Sequence, residues 1–213
     1  MEKEISIKIP QSWEDITLKK YLALQKELKN YEDNEEAQTA IMIQYLTGLD
    51  AKHLSGLSIE DYDMIKDTLN KFIENTVLPL QIVIQIDGIE YGFVPNLSEI
   101  EYGAYLDITQ YDTISIDDNW AKIMDILYRP ISNKLGKKYE VRPYTGKIDA
   151  EKWYNVGMDV HFGALNFFFY LLMDLLNDTL NSLKKEEWDP NIKSILEKSG
   201  KVTKRLLKLP EEI

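Results

Sequence analysis

The chain has 213 residues, 44% of them hydrophobic and 29% charged, the balance of a folded globular protein with one domain or one domain with appendages. It contains no cysteine, which excludes disulfides, thiolate metal sites and a thiol nucleophile. A formal net charge of -11 opposes general binding to phosphate backbones, so DNA contact is not expected.

The N-terminus, Met1-Glu2-Lys3-Glu4, has none of the basic-then-apolar pattern of a secretory leader, and export by that route is not expected. Residues 4–9 then alternate apolar and polar with period two, which predicts a half-buried strand stopped by Pro10. Ser12-Trp13-Glu14-Asp15 resembles a capping box with Asp15 in the usual Glu position, and it introduces an amphipathic helix from Thr17 to about Leu28. A second helix is predicted from about Glu35 to Leu46, closed by Gly48. A third starts at its N-cap Ser58 and buries a stripe of Tyr62, Ile65, Leu69 and Phe72.

Residues 81–94 carry the clearest β signal. Two apolar runs flank Asp87-Gly88, a pair suited to a type I′ turn because both central residues need positive φ. A lone hairpin is marginal, so the strand over 4–9 is expected to complete a small antiparallel sheet. A short helix follows over 98–107, and another runs from Trp120 to Tyr128 behind the cap Asp117-Asp118, stopped by Arg129-Pro130.

Residues 129–147 form a basic loop or second hairpin, with six Lys/Arg against the single acid Glu140. The most apolar stretch is 158–183. Its 15-position run from Phe162 to Leu176 includes Asp174 and falls short of the ~20 apolar residues of a membrane span, so a central core helix, buried nearly all round, is predicted, with no membrane contact. Asp189-Pro190 opens a last helix that Gly200 closes. Lys201 to Ile213 is a basic amphipathic tail.

The pattern as a whole predicts an α+β fold: a mainly helical domain over 1–200 with a small antiparallel sheet (strand 4–9 plus hairpin 81–94), then the tail 201–213. Trp13, Leu22, Phe72, Ile126, Leu165, Phe168 and Leu172 are the expected core.

Few residues invite chemistry. His53 and His161 are the only histidines, and Asp159 and His161 are two positions apart, on different faces of a helix. The acid clusters at Glu60-Asp61-Tyr62-Asp63 and Asp117-Asp118 lack the alternating ligands and central glycine of a calcium loop and read as helix caps. No phosphate-cradling glycine loop and no Gly-x-Ser-x-Gly elbow occurs. The expectation is a non-enzymatic protein with no catalytic residue, cofactor, metal ligand or small-molecule substrate.

Charge distribution points to partners instead. Residues 1–128 carry 10 Lys/Arg and 24 Asp/Glu, while residues 129–213 carry 15 and 12. Opposite signs on one chain permit head-to-tail self-association or two distinct partners. Partner contact is assigned to Arg129, Lys134, Lys137, Lys138 and Arg142, and in the tail to Lys204, Arg205 and Leu207. Tyr139 and Tyr144 stand among the cations, so the stretch fits an acidic protein surface, a nucleic-acid strand or a solvated loop.

Five stretches in order carry a family likeness. They are Ser12-Trp13-Glu14-Asp15-Ile16-Thr17-Leu18-Lys19-Lys20-Tyr21, Tyr91-Gly92-Phe93-Val94-Pro95-Asn96-Leu97, Ile126-Leu127-Tyr128-Arg129-Pro130-Ile131, Lys138-Tyr139-Glu140-Val141-Arg142-Pro143-Tyr144-Thr145-Gly146, and Met158-Asp159-Val160-His161-Phe162-Gly163-Ala164-Leu165-Asn166-Phe167-Phe168. Together the set resembles a family of tailed-bacteriophage proteins, notably of crAss-like phages of Bacteroidales. The resemblance implies a virion-associated protein made in the host cytoplasm. Its implied role is a minor structural or cargo protein, packed in the head, portal or tail conduit and released with the genome. A second implied role is a tail-assembly chaperone absent from the mature virion. Implied partners are portal, ring or tail proteins and further copies of the chain; no catalytic residue is implied.

Overall fold

The computed structural model describes residues 7–74 and 77–183, with side chains through 177. Among these residues the α-helices are α1 (Leu18–Leu28), α2 (Glu35–Thr47), α3 (Ala51–Leu54), α4 (Ile59–Glu74), α5 (Tyr102–Ile108), α6 (Trp120–Leu127) and α7 (Met158–Leu183). The strands are β1 (Val83–Ile86), β2 (Ile89–Phe93), β3 (Tyr128–Leu135) and β4 (Lys138–Val141), antiparallel in the order β1-β2-β3-β4. The protein is therefore α+β and mainly helical. The chain divides into two compact units, Met1–Phe168 and Phe169–Ile213; the domain boundary expected at residue 200 lies outside the described residues.

Local chemistry places the elements where the sequence reading put them. Thr17 Oγ1 accepts the Lys20 N–H at 3.3 Å to start α1, and Asn34 Oδ1 accepts the Ala37 N–H at 2.9 Å to start α2. Gly48 closes α2 at φ +77°. Ser58 Oγ accepts the Asp61 N–H at 3.1 Å ahead of α4. Asp87 and Gly88 take φ +49° and +78°, as a type I′ turn requires.

The third strand of the sheet differs from the expectation. Residues 4–6 lie outside the described residues, and residues 7–9 form no strand; Ile7 and Ile9 pack half-buried against the core instead. The edge of β2 is taken by β3, with Tyr91, Gly92 and Phe93 opposite Pro130, Arg129 and Tyr128. In the described part of residues 4–9, Ile7 and Ile9 are apolar side chains that find burial without a ladder. The stretch 129–147 is thus the second hairpin and not a loop. Pro130 fits inside β3 because its carbonyl faces Arg142 N–H at 2.9 Å, so the N–H it lacks is absent from the β4 side and not from the ladder with β2.

The core of the first unit is aromatic. Trp120, Trp153 and Tyr128 are fully buried, and Trp153 meets the rings of Tyr128 at 5.5 Å and Tyr91 at 6.0 Å. Trp13 packs on Phe72 and Phe162 with centroids 4.6 and 4.8 Å apart. Of the expected core, Trp13 and Ile126 are buried, while Leu22, Phe72, Leu165 and Phe168 are half-buried around them.

Helix α7 corrects a further expectation. Met158, Val160, His161, Phe162, Gly163 and Ala164 are buried. In the second unit no residue from 169 to 177 is: Leu172 is half-buried, and Tyr170, Leu171 and Leu175 are exposed. Apolar composition reports a preference for burial, not the presence of something to be buried against. Met158–Asn177 is long and apolar enough to cross a membrane by length and composition, with a mean hydropathy of 1.3, but its first turns belong to the core of the first unit. The expected helix over 189–200 and the tail 201–213 lie outside the described residues.

Candidate interaction surface

Strand β3 leaves the core and ends in solvent, and this determines the fate of each cation on the second hairpin. Arg129, second in the strand, is only 5% exposed. Its Nη1 and Nη2 donate to Glu101 Oε1 and Oε2 at 2.8 and 2.9 Å, a bidentate pair, and its Nε donates to the Ile126 carbonyl at 2.9 Å. Nη1 also reaches the Arg142 carbonyl at 3.3 Å, and the guanidinium lies 5.5 Å from the Tyr144 ring centre. The Arg129 hydrogen bonds, helped by the Tyr144 N–H, hold the Glu101 carboxyl down at about 2, against a smaller opposing effect of burial. Tyr144 donates its hydroxyl to Asp107, and burial together with that carboxylate pushes its phenol pKa up. The assignment of Arg129 to partner contact is therefore corrected: its guanidinium is enclosed, four of its five N–H groups meet acceptors within the chain, and it ties the hairpin to the start of α5.

Beyond Ile131 the register shifts at a bulge before Asn133, and the hairpin turns across β2. There Tyr139 lies on Gly92. A Cβ at that glycine would sit 2.3 Å from Tyr139 Cε2, so only glycine admits the ring. The Tyr139 hydroxyl donates to the Phe93 carbonyl at 2.6 Å, and Lys134 Nζ reaches Glu90 Oε1 at 2.5 Å. These contacts brace the arm.

Past the brace the tip is open. Lys134, Lys137, Lys138 and Arg142 are exposed, and Leu135 is 81% exposed among them. Four of the five hairpin cations assigned from the sequence are thus exposed, and of these Lys138 stands opposite Leu135 across the hairpin. Lys204, Arg205 and Leu207 lie outside the described residues. Sequence reasoning missed Leu135, whose only signal was an apolar residue inside the polar stretch Asn133-Lys134-Leu135-Gly136-Lys137. It also missed Glu101, which is 28 residues from its partner and has no marker.

The two histidines have structural surroundings. His161 is fully buried; its Nδ1 accepts the Trp120 indole N–H at 3.2 Å and its Nε2 lies 3.2 Å from the Trp153 carbonyl, which assigns the proton to Nε2. Burial pulls its pKa down to about 4. His53 is exposed with Nδ1 2.7 Å from Asp50. Among the described residues no three His, Asp or Glu side chains are grouped to hold a metal. Asp125 is largely enclosed and accepts from Trp153 Nε1 at 3.0 Å, from the Asp149 N–H at 2.7 Å and from Lys152 Nζ, so it too acts as a brace.

No protein-family model matches the chain, and neither does any curated protein or solved structure.

Proposed function

We propose that the chain is a virion-associated binding protein of a tailed bacteriophage, a minor structural or cargo protein packed in the head, portal or tail conduit and released with the genome. The family likeness of the five ordered motifs supplies the biological setting. The observation that supports a binding role is the tip of the β3–β4 hairpin, where a braced arm holds Leu135 81% exposed opposite Lys138, with Lys137 in the adjoining turn. A rigid arm loses little conformational freedom on docking. An apolar anchor flanked by cations fits an acidic neighbour with a small apolar pocket. Residues 1–128 of another copy, with 24 acids against 10 bases, offer such acidity, as would an acidic portal, ring or tail protein. The same net negative charge would keep a packed protein from adhering to the genome beside it.

The chaperone reading has its own support in the exposed Tyr170, Leu171 and Leu175 on one nine-residue stretch of α7, an apolar surface of the kind a holding protein offers. Mass spectrometry of purified particles separates the two. Copies of the chain in washed, genome-filled particles support the cargo or structural role. Their complete absence overturns it and leaves the chaperone.

A further inference from the structure

We infer that the free edge of β1 is a second binding site, one that takes an extended, lysine-rich or arginine-rich peptide segment as an added strand. The site lies apart from the basic hairpin tip, and the inference does not depend on the virion assignment.

Strand β1 is an edge of the sheet. Its register pairs Ile84 with Tyr91 and Ile86 with Ile89, and Phe93 N–H donates to the Ile82 carbonyl at 2.9 Å. Backbone groups alternate in direction along a strand, so Ile82, Ile84 and Ile86 face β2 while Val83 and Gln85 turn their N–H and C=O outward. Among the described residues no strand pairs with those four groups. The opposite edge is protected: β4 carries Lys138 and Glu140, and Arg142 follows it. β1 has no such protection, for its outward residues are a valine and a neutral glutamine.

The outward side opens into a solvent-filled groove. A cleft of about 610 Å³ is lined on one wall by Gln81, every residue of β1 and Asp87, and on the other by Glu14, Lys152, Asn155, Val156, Gly157, Asp159 and Val160. Nothing from β2 lines it, so it runs along the free edge. Its volume is within the range of clefts that hold a ligand, ~300–1,000 Å³. A docked strand would gain four main-chain hydrogen bonds from Val83 and Gln85 and side-chain contacts from both walls.

Charge selects the occupant. The walls hold Glu14, Asp87 and Asp159 against Lys152, and Lys152 is already paired with Asp125. Asp159 receives Gln81 Nε2 at 2.5 Å on one oxygen, while its other oxygen is buried with no hydrogen-bond partner. No cation among the described residues forms an ion pair with Glu14, Asp87 or Asp159. A segment alternating cationic and β-branched residues matches both the acids and the strand geometry. A second copy placing its own β1 here would set these acids against each other.

The test uses the full chain and two blocked hexapeptides, Lys-Val-Lys-Val-Lys-Val and Glu-Val-Glu-Val-Glu-Val, titrated by calorimetry and amide NMR. The lysine peptide is expected to bind at least about tenfold more tightly than the glutamate peptide, to weaken with added salt, and to slow exchange of the Val83 and Gln85 amides. Gln85→Pro removes one outward donor and leaves the β1–β2 ladder intact. It should weaken binding about fivefold, the effect of one hydrogen bond, with an unchanged melting temperature confirming the fold. Asp159→Asn should narrow the preference for lysine over glutamate. Four results would overturn the inference: no binding of the lysine peptide, equal binding of both peptides, indifference to Gln85→Pro in a folded variant, or Val83 and Gln85 amides already slow before peptide is added. The last would mean that the chain itself or a second copy covers the edge.

Discussion

Strand β3 carries a cation near each end, and the two have opposite roles. At its start Arg129 is enclosed, with its guanidinium divided between Glu101, two backbone carbonyls and the Tyr144 ring. Five residues on, Lys134 has only the exposed Glu90 as partner, and Lys137 and Lys138 beyond it stand in solvent. A buried charge is tolerable only when it is paired and hydrogen-bonded, as Arg129 is, so it belongs to the architecture. An exposed charge contributes little to stability and is available to a neighbour. The strand thus joins a region that sets the fold to a region that can meet a partner.

The largest effects should come from the enclosed end. Trp153→Ala removes a fully buried ring that packs on Tyr91, Tyr128 and His161, and should cost about 3–5 kcal/mol in urea-induced unfolding. A loss below about 1 kcal/mol would mean that the core lies elsewhere. His161 should confer a pH dependence of similar size. Its folded pKa is about 4 against an ordinary 6.5, so the unfolded chain takes up a proton first as pH falls. Stability should drop between pH 6.5 and 4 by on the order of 3 kcal/mol. Replacing the ring with His161→Gln should flatten that window specifically, whatever the variant's absolute stability. Glu101, held at about 2 from 4.5, supplies a separate loss at lower pH, fading between those two values.

Next in size is the ion pair itself. Glu101→Ala strands the 5%-exposed Arg129 without its carboxylate and should cost about 2–3 kcal/mol. The figure is at the low end for a buried pair because the Glu101 side chain is 45% exposed. The loss should fall almost entirely on the fold. If stability is unchanged while partner binding disappears, Arg129 faces the partner after all and the contrast between the two ends of β3 fails.

These positions show what was legible in the sequence. Helices α1, α2, α4 and α6 announced themselves through caps and apolar spacing, and the Asp87-Gly88 turn through its demand for positive φ. Such signals are local. Arg129 was read with the other cations because the feature that removes it from the surface, Glu101, is distant in the chain and common in composition. The partner of β2 is hidden for the same reason: strand pairing is non-local, and the period of two that 7–9 share with a strand does not say that β3 takes that edge. Gly92 stands between the two cases. Its glycine was visible, but its purpose, room for Tyr139, was not. Gly92→Ala should displace that ring, cost about 1–3 kcal/mol and loosen the arm. The double variant Gly92→Ala, Tyr139→Ala should recover part of the loss, since the clash disappears with the ring.

The smallest effect on stability belongs to the tip, and it is the most informative. Lys137→Glu with Lys138→Glu changes two exposed side chains and should move the unfolding free energy by less than about 0.5 kcal/mol. The same pair lies beside Leu135, where long-range attraction to an acidic neighbour would act. Association with that neighbour should therefore slow and lose its salt dependence, while Leu135→Ser should speed dissociation with little change in approach. Measured side by side on the isolated chain and on assembled particles, the two substitutions separate attraction from anchoring. Destabilisation of the isolated chain by the charge reversal would place the tip with the fold. Unaltered assembly by both variants would show that the open end of β3 meets nothing there.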